Sequence, residues 1–217
     1  MPPYATKLET IVVDDISLNI ASLADRNQFY DPDQEAKKLG ISDSMWPISG
    51  LVWPSGAVLA RVINRLNLTN LRVLEVGCGI GIASLVAAHK KADITASDYH
   101  PIVEPLLIKN AKENDIDGIK YIHGNWHHPI SNHKKFDLII GSDLLYEAGN
   151  AEILSVYISC HLALRGRVIL IDPGRRMSGR IKKSMEAVGF QYTKTKLDQQ
   201  GNTQAKGYFT QYIFQKF

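Results

Sequence analysis

Cysteine is scarce in this 217-residue chain: Cys78 and Cys160 are its only two, too few for a disulfide framework or a thiolate zinc site. The opening segment lacks the unbroken apolar core of a secretory signal, because Lys7, Glu9, Asp14 and Asp15 interrupt it. A cytosolic, cytoplasmic protein is the expectation. Long hydrophobic runs are missing too. The most apolar stretch, from Ile153 to Ile171, is broken by His161, Arg165, Gly166 and Arg167, short of the roughly 20 residues a membrane helix needs. Nor does charge of one sign accumulate, since 25 Lys plus Arg stand against 22 Asp plus Glu, a net charge of +3. No basic block or stripe appears, which argues against a dedicated nucleic-acid binder. With 45% hydrophobic residues, the chain reads as one α/β domain over residues 1–217.

Periodicity supplies the layout. The run Leu71 to Val76 ends in a glycine cluster, and Ile80 to Ala87 then reads as a helix, being too long and alanine-rich for a strand. The unit recurs. Ile94 to Ser97 leads into a helix from Pro101 to Asn114, Lys120 to Ile122 is a short strand, and Phe136 to Gly141 precedes a helix from Ala151 to Leu164. Val168 to Ile171 is the fifth strand, and the next helix stops at Gly189. Two further β-rich segments, Phe190 to Leu197 and Tyr208 to Phe217, have only a polar connection between them. Strands joined without a crossover helix pair antiparallel. The predicted fold is therefore a three-layer, Rossmann-like α/β sandwich: a mostly parallel seven-stranded sheet completed by a C-terminal antiparallel hairpin. Residues 1–70 form an N-terminal cover of strands and helices over the sheet edge, and residues 71–217 the sheet core. Within the cover, Asp31, Pro32 and Gly40 bracket a short helix, and a second helix begins near Pro54.

The glycine cluster, Glu75-Val76-Gly77-Cys78-Gly79-Ile80-Gly81, sits where a strand feeds a helix and where backbone can approach a nucleotide closely. Its spacing is G-x-G-x-G, and Ile82 occupies the third glycine position of the dinucleotide fingerprint, so NAD is disfavoured. No Lys followed by Ser or Thr comes after the glycines, which disfavours ATP as well. Asp98 closes the second strand about 20 residues on, placed to accept hydrogen bonds from two ribose hydroxyls; a cap on the next helix is its alternative reading. What remains is a nucleoside ligand without a phosphate requirement.

At these residues the chain resembles the class I, seven-β-strand S-adenosylmethionine-dependent methyltransferases, over about Leu71 to Phe217. More narrowly, it is similar to methyltransferase family 16, which holds many protein lysine methyltransferases. Four segments carry the likeness: Val52-Trp53-Pro54, Val73 to Gly79, Asn125-Trp126, and Asp143-Leu144-Leu145-Tyr146. The resemblance implies that Glu75, Gly77, Gly79 and Gly81 surround the methionine portion of S-adenosylmethionine. It implies that Asp98 holds the ribose, that Asn125 and Trp126 border the adenine, and that Trp53 closes over the cofactor.

Methyl transfer from a sulfonium needs alignment and exclusion of water, with no metal and no covalent nucleophile. An acid beside an aromatic face can hold an incoming ammonium, which fits Asp143 and Tyr146 as the catalytic pair. A helix cap and a packed wall residue are their alternatives. The expected product is S-adenosylhomocysteine and the expected acceptor a protein lysine. A small-molecule N-methyltransferase is the runner-up, and a non-catalytic cofactor-binding module a third class. A nucleic-acid methyltransferase is unlike Ser142 to Tyr146, which has no pair of prolines between acid and aromatic. His123, His127, His128 and His133 lack the spacing and companion ligands of a metal site, and Arg175 and Arg176 read as a solvated loop, with contact to an acidic substrate as the alternative.

Overall fold

A computed structural model describes residues 4–129, 133–145, 149–174, 178–203 and 207–216. The main sheet is formed by β3 (Arg72–Val76), β4 (Asp93–Asp98), β5 (Lys120–His123), β6 (Phe136–Ser142), β7 (Leu162–Asp172), β8 (Gln191–Leu197) and β9 (Phe209–Gln215). Its order is β5-β4-β3-β6-β7-β9-β8. β3 to β7 run parallel, and β9 pairs antiparallel with both β7 and β8. This is the expected seven-stranded sheet with its terminal hairpin. The chain leaves β3 in one direction to β4 and β5, and returns on the other side as β6. That reversal puts a crevice at the carboxyl ends of β3 and β6, where open α/β sheets bind ligands.

Alternation along the central strands builds two cores, one on each face. Val73, Leu138, Ile140, Ile169 and Ile171 face α2 (Pro54–Asn64), α3 (Ile82–His89) and α4 (Val103–Glu113). Leu74, Val76, Ile139, Val168 and Leu170 face α5 (Asn150–His161) and α6 (Ser178–Ala187). Among the described residues no helix is long and apolar enough to cross a membrane.

In the first 70 residues strands and helices are present, but the strand pair is placed differently from expectation. β1 (Thr6–Val13) and β2 (Ile16–Leu23) pair only with each other and pack on α2 and α4, outside the helix layer rather than over the sheet edge. The reason is the second edge of β2. Asn110 of α4 accepts from the Ala21 N–H (2.7 Å), and Asn114 both accepts from the Asn19 N–H (2.7 Å) and donates to its carbonyl (2.8 Å). Two side-chain amides thus pair edge groups of β2 as a neighbouring strand would, and Ile16, Leu18 and Ile20 join the core.

Two helices are shorter than their patterns predict. α1 spans only Glu35–Lys38, with Asp31 accepting from the Ala36 and Lys37 N–H groups (3.1 and 2.9 Å), and a 3₁₀ turn follows at Trp46–Gly50. α5 ends at His161, and Leu162 enters β7 at once to pair with Phe136. Leu164 is 92% exposed, so its apolar character does not extend the helix.

Candidate active site

Each glycine of the loop between β3 and α3 is left-handed, with φ of +60° at Gly77, +52° at Gly79 and +79° at Gly81. These values exclude side chains cheaply adopted elsewhere. Packing adds to the requirement at Gly77, where a Cβ would lie 2.5 Å from a methyl of Leu144. The Cys78 N–H donates to the Ser97 carbonyl (3.0 Å), which ties the loop to β4. The loop forms one wall of a cavity of about 730 Å³ at the carboxyl ends of β3, β4, β5 and β6.

That cavity gathers most of the residues singled out in the sequence: Trp53, Glu75, Gly77, Gly79, Asp98, Asn125, Trp126 and Asp143 all line it. Gly81 is not among the lining residues. It is the N-cap of α3, with Leu107 where its side chain would be. Tyr146, like Arg175 and Arg176, lies outside the described residues. Of the four histidines singled out in the sequence, all are exposed and His127 also lines the cavity.

Asp98 serves the fold and faces the cavity at once. One carboxylate oxygen accepts from the Gly79 N–H (3.0 Å), and the other from the N–H groups of Tyr99 and His100 (2.8 and 3.0 Å). It therefore fixes the glycine loop and caps the turn after β4, with lone pairs left for a ligand. Burial raises its carboxyl against these three donors. Glu75 is 3% exposed and accepts from the Ser84 hydroxyl at 2.5 Å. Burial pushes its carboxyl up to about 7; the Ser84 contacts oppose the shift and the nearby Asp98 charge adds to it.

After β6, Asp143 is half-buried and adopts φ +56°, its N–H donating to the Ile171 carbonyl (2.9 Å). A left-handed non-glycine residue at a strand tip is the kind of local strain that concentrates at functional sites. The Trp53 indole N–H donates to the Ile48 carbonyl (2.9 Å), which holds its ring at the cavity wall. The Asn125 side-chain oxygen accepts from the His127 N–H (2.9 Å), and Trp126 packs against the core on the α5 side.

Several lining residues have no local sequence signal. Leu39, Gly40, Ile41, Met45, Ile48 and Ser49 come from the segment around α1 and the 3₁₀ turn, which folds across the glycine loop. A Cβ at Gly79 would lie 3.3 Å from the Ser49 carbonyl, and the Tyr99 hydroxyl donates to the Leu39 carbonyl (3.0 Å). His100 is 2% exposed and stacks edge-on against Trp46; burial lowers its imidazole to about 4, so it is neutral. Gly56, Ser142, Asn150 and Ile153 complete the wall around Asp143. The carboxyl side chains in this described lining are Glu75, Asp98 and Asp143, with no Lys or Arg.

Comparison with known proteins agrees with this geometry. A lysine methyltransferase family model matches residues 33–182. The chain is 32% identical over 113 residues to a histidine protein methyltransferase 1 homolog of Dictyostelium discoideum, covering 49% of this chain and 36% of that protein. It is 31% identical over 141 residues to the electron transfer flavoprotein beta subunit lysine methyltransferase of Rattus norvegicus, covering 60% of this chain and 54% of that one. The chain thus spans about a third to a half of the length of these two relatives. Among solved structures, a TehB-like methyltransferase from Corynebacterium glutamicum superposes with a TM-score of 0.61 at 17% identity, covering 86% of this chain and 100% of that chain. The fold, the strand-tip cavity and the match over residues 33–182 lead to one conclusion: the chain belongs to the lysine methyltransferase family, methyltransferase family 16.

Proposed function

We propose that this chain is a single S-adenosylmethionine-dependent methyltransferase unit that N-methylates a lysine side chain of a protein. The observation that carries the reading is the charge of the cavity. Three carboxyl groups, one of them the Glu75 carboxyl that a cation would help to ionise, and no Lys or Arg among the described lining residues suit a cationic sulfonium and an arriving ammonium. The glycine loop supports the cofactor assignment, since its left-handed glycines let backbone approach the methionine end closely at the N-terminus of α3.

In this reading Asp98 accepts from the ribose hydroxyls, Trp126 and Asn125 flank the adenine, and Glu75 with Gly77 and Gly79 borders the methionine portion. S-adenosylmethionine, when bound, supplies a methyl group that passes to the amine nitrogen while the C–S bonding pair stays on sulfur. The chain's own task is alignment. Asp143 attracts the lysine ammonium to the β6 tip, and the amine gives up its proton by way of that carboxylate to water before transfer, which frees the nitrogen lone pair. Trp53 keeps water from the reacting atoms, and Tyr146 supplies an aromatic face to the ammonium. The two named relatives, one acting on histidine and one on lysine by their names, favour a protein acceptor. The two free cysteines fit a reducing, cytoplasmic setting.

The test is incubation of the purified chain with methyl-labelled S-adenosylmethionine and a cell lysate, followed by separate counting of protein, nucleic-acid and small-molecule fractions. Label in a discrete protein band, located on lysine by mass spectrometry and lost in Asp143→Ala, is the expected result. Label confined to small molecules, or to histidine, overturns the lysine assignment.

A further inference from the structure

We infer that Gly56 sets the room available to the acceptor nitrogen and thereby limits how many methyl groups it can carry, an inference that rests on the lysine reading above. Gly56 is the third residue of α2 and lines the cavity between Trp53 and the tip of β6. Most cavity glycines have a structural reason to be glycine. Gly77, Gly79 and Gly40 have positive φ, and a Cβ at Gly77 would collide with Leu144.

Gly56 has neither reason. Its φ lies outside the left-handed region, and among the described residues beyond its own helix the one atom within 4 Å of a Cβ built there is the Ser142 hydroxyl, at 3.8 Å, an ordinary contact. Alanine would fit both conformation and packing, and it favours a helix over glycine. What glycine keeps is open space in the cavity, on the side of Ser142 and the adjoining Asp143. The missing group is one methyl in size, the same volume by which each transfer enlarges the acceptor nitrogen. At 3.8 Å from Ser142, an alanine methyl would fill the gap to van der Waals contact. Gly56 and Ser142 thus face one another as the two sides of an aperture.

The experiment uses the full chain as wild type, Gly56→Ala, Gly56→Val and Gly56→Ala with Ser142→Ala. The probes are methyl-labelled S-adenosylmethionine and the lysine-containing protein it labels in a lysate. Methyl groups per lysine are counted by mass spectrometry, cofactor Kd is read by calorimetry, and Tm by thermal melting. The expected Gly56→Ala protein has an unchanged or raised Tm and a cofactor Kd within about twofold of wild type. Its product carries at least one methyl fewer than wild type, or, where wild type stops at one, its kcat/KM for the acceptor falls at least tenfold. Gly56→Val is more severe, and removal of the Ser142 hydroxyl restores part of the loss. Should Gly56→Val not fold, Ser142→Val narrows the gap from the other wall and is expected to act the same way. Equal methyl counts and acceptor kinetics in wild type and Gly56→Ala overturn this inference alone, as does a loss of cofactor affinity that accounts for the loss of transfer. A wild type that binds the cofactor yet labels no lysine overturns the lysine reading, and this inference with it.

Discussion

Leu144 occupies the volume that a side chain at Gly77 would need: its methyl carbon lies 2.5 Å from the position of a Cβ there, and another lies 2.6 Å from that of Gly141. One leucine after β6 thus locks the glycine loop after β3 to the neighbouring strand. Gly77→Ala meets two obstacles, a φ of +60° and this collision. The expected outcome is a loss of about 1–3 kcal/mol of stability by denaturant titration, with at least a tenfold weaker cofactor affinity. Adding Leu144→Ala removes the collision but not the backbone strain, so stability and affinity recover only in part. Full recovery would mean that the left-handed conformation costs nothing.

Asp98 carries three backbone N–H groups before any ligand arrives. Asp98→Ala is expected to lower stability, because the Gly79, Tyr99 and His100 donors lose their acceptor, and to weaken cofactor binding by a few kcal/mol. Asp98→Asn keeps one oxygen acceptor and falls between the two. Calorimetric titration and thermal melting separate the roles. A lowered Tm with unchanged cofactor affinity would leave Asp98 as a cap and nothing more.

The parts legible in the sequence are those written in short-range patterns. The short apolar runs at Val73 to Val76 and at Val168 to Ile171, the glycine spacing, and Asp98 at its strand tip are each local features of the chain, so a short window of sequence reveals them. The placement of β1 and β2 depends instead on Asn110 and Asn114, about 90 residues away in sequence, whose amides stand in for a strand neighbour. No local pattern announces such a pairing. The same holds for the wall from Leu39 to Ser49, which reaches the cavity only because the cover folds across the glycine loop. The early end of α5 has another cause: Leu162 gains a strand partner in Phe136, and tertiary pairing overrides helical propensity.

Glu75 makes stability and binding depend on pH in opposite senses. Its carboxyl is raised from 4.5 to about 7 by burial, so the fold disfavours the ionised form. Its contribution to stability is therefore lost as pH rises from the unfolded value through about 7, by ~3 kcal/mol in total. Glu75→Gln should melt higher than wild type at pH 8, with the difference shrinking toward pH 5. A cationic ligand beside Glu75 favours the ionised form, so cofactor affinity should tighten from pH 6 to pH 8 in wild type and stay flat in the variant. Parallel pH profiles for the two proteins would remove Glu75 from the binding site.

Asp143 offers a way to separate the fold's interest from the site's. Its φ of +56° is tolerated by aspartate but suits glycine better, so Asp143→Gly relieves the backbone strain at this position. The same substitution removes the carboxylate from the cavity. Methyl transfer is then expected to fall at least 100-fold, while cofactor Kd stays within about threefold, because the glycine loop and Asp98 remain intact. Asp143→Asn keeps the shape and tests the charge alone. It should lose transfer nearly as severely if the carboxylate attracts and deprotonates the ammonium, and far less if the residue only shapes the β6 tip. Transfer that survives in both variants would move the acceptor site away from Asp143 altogether.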